Sequence, residues 1–258
     1  MKKILAALCF SFLSLNFAHS EVLSLGVSGS IGMLSATGTE KVSGTGETQV
    51  IWGATSAAAA TTAAATAQTS QKGSEDLFIG YISLFGEVHL FDSGLRLGGS
   101  YVPYPLESET TDNVRNDNCG LRDTGNAGID HSSLCKETKN KVQVDLQDLV
   151  TMYVSYHHDI SAPFIDGFFI KAGYIQADVI TNEKLTSGSQ YANTSLDGEF
   201  FGLGIEKNLS EGLFVRAEGT VTQFDNIKLV NANSDNTNEI SITGLDGATA
   251  TISIGKTF

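Results

Sequence analysis

Basic residues are scarce in this chain: 16 Lys and Arg stand against 29 Asp and Glu. Two of the bases, Lys2 and Lys3, open the sequence, so the remainder carries 14 − 29 = −15. A polyanion such as nucleic acid is therefore an unsuitable partner. Long apolar runs are missing too. After the N-terminal segment no stretch of 18 apolar residues occurs, which excludes helical membrane spans. Thiols number three, too few for a disulfide-built scaffold, and the single tryptophan, Trp52, marks no site by itself. A chain without spanning helices has one other way to live in a bilayer, as a closed β-barrel whose backbone groups all bond between strands.

The N-terminus reads as a secretory signal. Lys2 and Lys3 precede an apolar run from Ile4 to Leu15 and a short close, Ala18-His19-Ser20. The run is too short for a membrane anchor of about 20 residues. Residues 1–20 are the expected leader and residues 21–258 the mature domain. Cys9 falls inside the leader behind Leu8, not behind the small residue that lipid attachment requires. Cys119 and Cys135 remain, and in an oxidising compartment they are expected to close one loop as a disulfide. A structural zinc site is the competing use, but it wants four ligands and only His131 lies near.

The mature chain alternates. From Leu23 the residues Leu25, Val27, Ile31 and Met33 share one parity, and Ser24, Gly26, Ser28, Ser30 and Gly32 share the other. Period two predicts a strand with one oily face. Further strands are expected at about 76–90, 94–105, 144–159, 167–181, 196–207, 211–225 and 240–258, eight in all. Three links are short and rich in turn chemistry, at 91–94, 161–167 and 208–212. The other four, near 37–75, 106–143, 182–195 and 226–239, are longer and polar. Membrane barrels sort their connections in this way, short turns toward the periplasm and long loops outward. The last strand repeats the pattern, with Ile240, Ile242, Ala248, Ala250, Ile252, Ile254 and Phe258 expected toward lipid and Ser241, Thr243, Thr249, Thr251, Ser253 and Thr257 toward the lumen.

The leader, the eight amphipathic strands, the sorted loops and the final Phe258 together resemble the small OmpA/OmpX-type outer-membrane barrels, the barrel part alone. The resemblance implies an all-β, eight-stranded antiparallel up-and-down transmembrane barrel in the outer membrane of a Gram-negative cell. It also implies a role for Phe258 as the terminal aromatic read by the barrel-assembly machinery, after delivery by periplasmic chaperones. Outer-membrane lipid is then the first partner, and the surface loops are the expected place for any further ligand.

Lumen parity gathers six charges, Glu87, Arg96, Lys171, Glu206, Arg216 and Glu218, with Ser83, Thr151, Ser155, Thr220 and Thr222. Three acids against three bases predict a paired network, since buried charges must pair or stay costly. Glu87 and Arg96 flank the first short turn and are expected to be neighbours. An eight-stranded barrel can be filled by its own side chains, so these charges are read as a plug; a lining for a narrow pore is the alternative. Ser155, His157, His158 and Asp159 carry the residue types of a hydrolytic site, but the path of the chain puts them at the periplasmic end, away from an outer-leaflet substrate, and His157 is read as interfacial. No catalytic residue, cofactor or metal is expected, and the reading is of a scaffold and not an enzyme.

Overall fold

The structure, a computed structural model, describes residues 22–43, 68–90, 93–108, 111–117, 136–160, 162–184, 191–231 and 239–258. The expected leader, Cys119, Cys135 and His131 lie outside the described residues. Within them the chain is β1 (Leu23–Ser43), β2 (Gln68–Leu90), β3 (Leu95–Tyr101), β4 (Leu106–Glu107), β5 (Thr111–Asp117), β6 (Lys136–Asp159), β7 (Gly167–Lys184), β8 (Thr194–Asn208), β9 (Leu213–Phe224), β10 (Ile227–Val230) and β11 (Glu239–Thr257). β4 and β5 prolong the line of β3 along β6, and β10 prolongs β9 along β11.

The pairings run β1-β2-β3-β6-β7-β8-β9-β11, and β11 returns to β1, so eight antiparallel staves close a ring. The stagger is readable from the registers. A row of facing residues starts at Gly86 and passes Gly99, Met152, Tyr174, Glu199, Gln223, Asp246 and Ser35. It comes back to β2 at Asp76, ten residues from where it began. For eight strands that shear gives a tilt of roughly 40° and a barrel narrow enough for side chains to fill. The three short turns and both described termini share one end, where the Val22 N–H donates to the Phe258 carbonyl at 2.9 Å. Gly94 takes φ +75° in the first turn, a conformation that costs glycine least.

Alternation sets the two faces. Ile31 and Phe78 are 72% and 79% exposed, and Ile82, Leu203, Val221, Ile252 and Ile254 also point outward. In water that surface would be an aggregation patch; around a closed barrel it is a lipid belt. Tyr156, Phe168 and Phe258 lie on it toward the turn end, where interfacial anchors sit, and Tyr101, which faces Leu84, lies nearer mid-height. The belt gives way to Glu199, Gln223 and Asp246, which face one another along a single row.

β3 stops at Tyr101, short of the expected 105, because Pro103 and Pro105 bring no N–H to a ladder with β2. Two further expectations need correction. The strands run further outward than 76–90 or 144–159, because β1–β2 and β5–β6 continue as paired ribbons where polar sequence reads as loop. Second, Ile240 and Ile242 do not join the lipid face; they pack on an interior cluster with Leu245, Leu229 and Tyr191. The cause is a bulge. Thr37 faces Thr243 but Ser35 faces Asp246, so β11 carries one extra residue at Gly244 (φ +60°), and one inserted residue exchanges the faces of everything beyond it. A similar bulge lies in β6 between Gln147 and Val150, at Asp148 (φ +51°).

Candidate functional site

Four of the six lumen charges meet at the turn end of the barrel. Arg216 on β9 donates from Nε to Glu206 Oε2 on β8 at 2.5 Å and from Nη1 to Glu87 Oε1 on β2 at 2.8 Å. Arg96 on β3 lies 3.3 Å from Glu206 and 3.6 Å from Glu87. Two guanidinium groups thus alternate with two carboxylates across the lumen, and the expected proximity of Glu87 and Arg96 is found. Glu87 faces Gly98, two residues from Arg96, so the pair is a diagonal cross-strand contact. Arg216 and Glu87 are 4% and 2% exposed.

The other two charges form a separate pair further up: Lys171 Nζ bonds both oxygens of Glu218, at 2.5 and 2.7 Å, and Thr220 donates to Glu218 at 2.8 Å. Tyr153 connects the two groups. Its hydroxyl donates to Glu87 Oε1 at 2.9 Å, and its ring lies 4.4 Å below Lys171 Nζ. Sequence parity places the charges correctly but is silent on the rings between them. The guanidinium of Arg216 is 4.3 Å from Phe214, 5.5 Å from Phe169 and 5.7 Å from Phe85, close enough for each face to attract the cation.

Glycine makes room for these rings. Phe85 faces Gly26, Phe169 faces Gly204, Phe214 faces Gly255, and Tyr153 faces both Gly98 and Gly173. A Cβ on Gly98 would fall 2.6 Å from the Tyr153 ring, and one on Gly204 2.5 Å from the Phe169 ring. Each aromatic therefore lies flat over a cross-strand glycine, which turns it along the wall and leaves the axis to the charges.

His157 is not interfacial. It points inward, stacks on Phe169 with centroids 4.8 Å apart, and sits 3.7 Å from Glu206 through Nδ1 and 3.1 Å from Ser155 Oγ through Nε2. Odd parity with Ser155 was the signal, and a strand-end position masks it. The neighbouring His158 does face outward, against Phe168. Serine, imidazole and carboxylate in series have the order of a hydrolytic triad. Their surroundings do not suit one: Ser155 is 1% exposed, and Glu206, which would have to orient the imidazole, is held by both arginines.

A cavity of about 100 Å³ begins at the charges, bordered by Glu87, Lys171, Arg216 and Glu218, and is lined both by hydroxyls such as Ser28, Ser83, Thr151 and Thr251 and by apolar side chains such as Leu149, Ile175 and Phe200. Some of the hydroxyls are paired across strands, Ser28 with Ser253 at 2.8 Å and Ser100 with Thr151 at 2.7 Å. Val102, Leu149, Ile175, Ala177 and Phe200 form one apolar cluster, most of which lines the cavity, and Val179, Tyr191, Leu196, Ile227, Leu229 and Leu245 form a second, nearer the outward end.

No family model matches the chain, and no curated protein does. Among solved structures, the chain is similar to the attachment invasion locus protein Ail of Yersinia pestis, at 10% identity over 88% of this chain and 98% of that one, with a TM-score of 0.29. It is similar to the outer membrane protease OmpT of Escherichia coli, at 11% identity over 95% and 99%, with a TM-score of 0.36. A Pseudomonas aeruginosa FadL homologue is matched at 11% identity over 94% of this chain and 66% of that one, with a TM-score of 0.26.

Proposed function

We propose that the protein is a shut outer-membrane barrel that acts as a scaffold, holding its outward segments at the cell surface, and that it is not an enzyme. The observation that carries this reading is the crossed arrangement of Glu87, Arg96, Glu206 and Arg216. Each charge has a partner of opposite sign, and together they meet inside the barrel at its turn end. An ion crossing there would have to displace a guanidinium from two carboxylates and three ring faces at once. The apolar clusters at the outward half add a second obstacle, because burying an ion among Leu, Val and Ile side chains is costly. What remains exposed to a partner is the outward part of the chain, so surface ligands bind there, and chaperones and assembly machinery act earlier, during delivery to the membrane.

Planar-bilayer recording of the refolded full chain tests the reading. No unitary current above leak is expected. A second reading, a narrow pore for ions or small solutes, is favoured by the hydroxyls that line part of the cavity, and steady unitary steps that vanish on substitution of Thr151 or Thr220 would establish it in place of the scaffold. The series Ser155, His157, Glu206 motivates a hydrolytic reading; a change in the acyl pattern of lipid from cells making the protein, lost with Ser155→Ala, would overturn the statement that it is no enzyme.

A further inference from the structure

The barrel wall is not hydrogen-bonded over its whole height. β2 pairs with β3 only where Leu84–Leu90 faces Tyr101–Leu95. Beyond Leu84, no residue from Gln68 to Ser83 has a ladder partner on that side among the described residues. The opposite rim keeps its own pairing with β6: the Val102 N–H donates to the Leu149 carbonyl at 3.0 Å, and Leu106 and Glu107 face Leu146 and Asp145. A seam therefore separates β2 from segment 102–107.

The sequence explains why it does not close. In an antiparallel ladder, alternate residues turn their N–H and C=O to alternate neighbours. The Ile82 N–H faces the seam, since it donates to the Tyr104 hydroxyl at 2.5 Å, so Gly80 and Phe78 of the same parity face it too. Across the gap the Val102 N–H points to β6, which leaves residues 103 and 105 pointing at β2. Both are proline. Two of the three prolines in the chain stand where an N–H would have bonded the carbonyls of Ile82 and Gly80. Had they been at 102 and 104, they would have broken the β6 ladder instead. The Tyr104 side chain gives Ile82 a substitute acceptor, and a foreign strand could not pair fully with a rim that lacks those donors.

The depth of the seam suggests its occupant. Leu84 is six residues along β2 from Leu90 at the turn end, which at about 3.3 Å per residue and a tilt of roughly 40° is about 15 Å up a belt about 25 Å tall. The seam thus begins within the outer leaflet and rises into its headgroup region. Its outer lips are apolar or aromatic: Ile82, Leu84, Tyr101 and Tyr104 are all exposed. Directly behind it are Val102, 1% exposed, its cluster with Leu149 and Phe200, and the cavity, which Ile79, Tyr81, Ser83 and Ser100 line from this side. We propose that the seam is a lateral port through which the acyl chain of an outer-leaflet lipid reaches the interior cavity. The chain fills apolar space, and the hydrated interface at that height supplies donors for the bare carbonyls. The port opens sideways into the leaflet and makes no path across the membrane, so it goes beyond the scaffold reading and stands or falls apart from it.

The test uses the refolded full chain in phosphatidylcholine vesicles, with Ser83→Cys at the inner lip and Ser253→Cys two strands further round the wall, beyond β1, as separate variants. Each is exposed to N-dodecylmaleimide, which dissolves in the bilayer, and to a sulfonated maleimide, which does not. Modification at the introduced thiol is read by peptide mass spectrometry. The lipophilic reagent should modify position 83 at least about ten-fold faster than position 253. Replacing both Pro103 and Pro105 with Val in the Ser83→Cys chain should slow it by a similar factor, as restoring two ladder bonds would. Equal rates at 83 and 253, no reaction at 83, or faster reaction with the sulfonated reagent would each overturn the port. If the proline variant does not fold, judged by heat-modifiable migration, the comparison of positions 83 and 253 decides alone.

Discussion

Arg216 is the residue on which the inner cluster depends, and replacing it with Ala isolates that dependence. The substitution removes the donor that Glu87 and Glu206 share and leaves Arg96, at 3.6 and 3.3 Å, as the one guanidinium that reaches both. Removing one partner of a buried ion pair strands the other charge, at a cost of about 3–5 kcal/mol. The loss of attraction to the ring faces of Phe214, Phe169 and Phe85 adds up to about 2 kcal/mol for a desolvated cation. Stability is measured by urea titration of the protein refolded in vesicles, following the shift between folded and unfolded migration. Arg216→Ala should lower it by about 4 kcal/mol. Combining it with Glu206→Gln should recover part of that, because the second substitution removes one stranded charge, and the cycle should report a coupling of about 1 kcal/mol or more. A loss below about 0.5 kcal/mol, the size of an ordinary surface change, would mean that the guanidinium is not what holds these carboxylates.

The glycine sockets predict a contrast. Gly98→Ala sets a methyl against the Tyr153 ring and Glu87 and should cost about 1–3 kcal/mol as overpacking, whereas Gly219→Ala, with nothing within 4 Å, should be neutral or stabilising in the same titration. In the second short turn, the Lys207 ammonium at 2.8 Å and the Asn208 N–H hold the Asp166 carboxyl below its ordinary range. A depressed acid stabilises the fold above its unfolded pKa, and that contribution fades as pH falls through the folded value. Asp166→Asn should therefore remove a small part of the acid sensitivity of unfolding below about pH 4; an unaltered acid limb would refute the assignment.

Alternation makes most of this barrel legible. Once Leu25, Val27 and Ile31 are assigned to lipid, parity alone puts Glu87, Lys171 and Arg216 inside, and the sorted link lengths fix which end is which. Parity fails where a residue is inserted. Gly244 and Asp148 sit in bulges that no local composition announces, and everything outward of them changes face, which is why Ile240 and Ile242 were expected in lipid. His157 was legible by parity and obscured by its place at a strand end, where an interfacial role is the simpler expectation. Beyond the Glu87–Arg96 contact, the pairing pattern among the six charges was not legible. Which acid meets which base depends on shear, and shear is a sum of registers around the ring that no single strand encodes. Pro103 and Pro105 carried a signal of another kind. Proline inside an expected strand marks an edge, and a strand running unbroken to 105 conflicts with it; the structure ends β3 at Tyr101.

The interior is divided between two materials, and the division predicts how the barrel would fail. Charges fill the turn end, where Glu87 and Glu206 sit beside Arg96 and Arg216; apolar side chains fill the outward half, where Leu229, Leu245 and Tyr191 meet. The two lie in series along the axis, and the cavity, lined by side chains of both, spans the step between them. Disrupting the inner cluster alone should connect that cavity to the periplasmic side and no further, since an ion would still face the desolvation cost of the apolar half. Arg216→Ala should therefore remain silent in a planar bilayer despite its loss of stability. Adding Leu229→Ser and Leu245→Ser should produce unitary current, because only then are both barriers breached. Conductance from Arg216→Ala by itself would mean that the apolar half leaks and that the charges are the sole barrier.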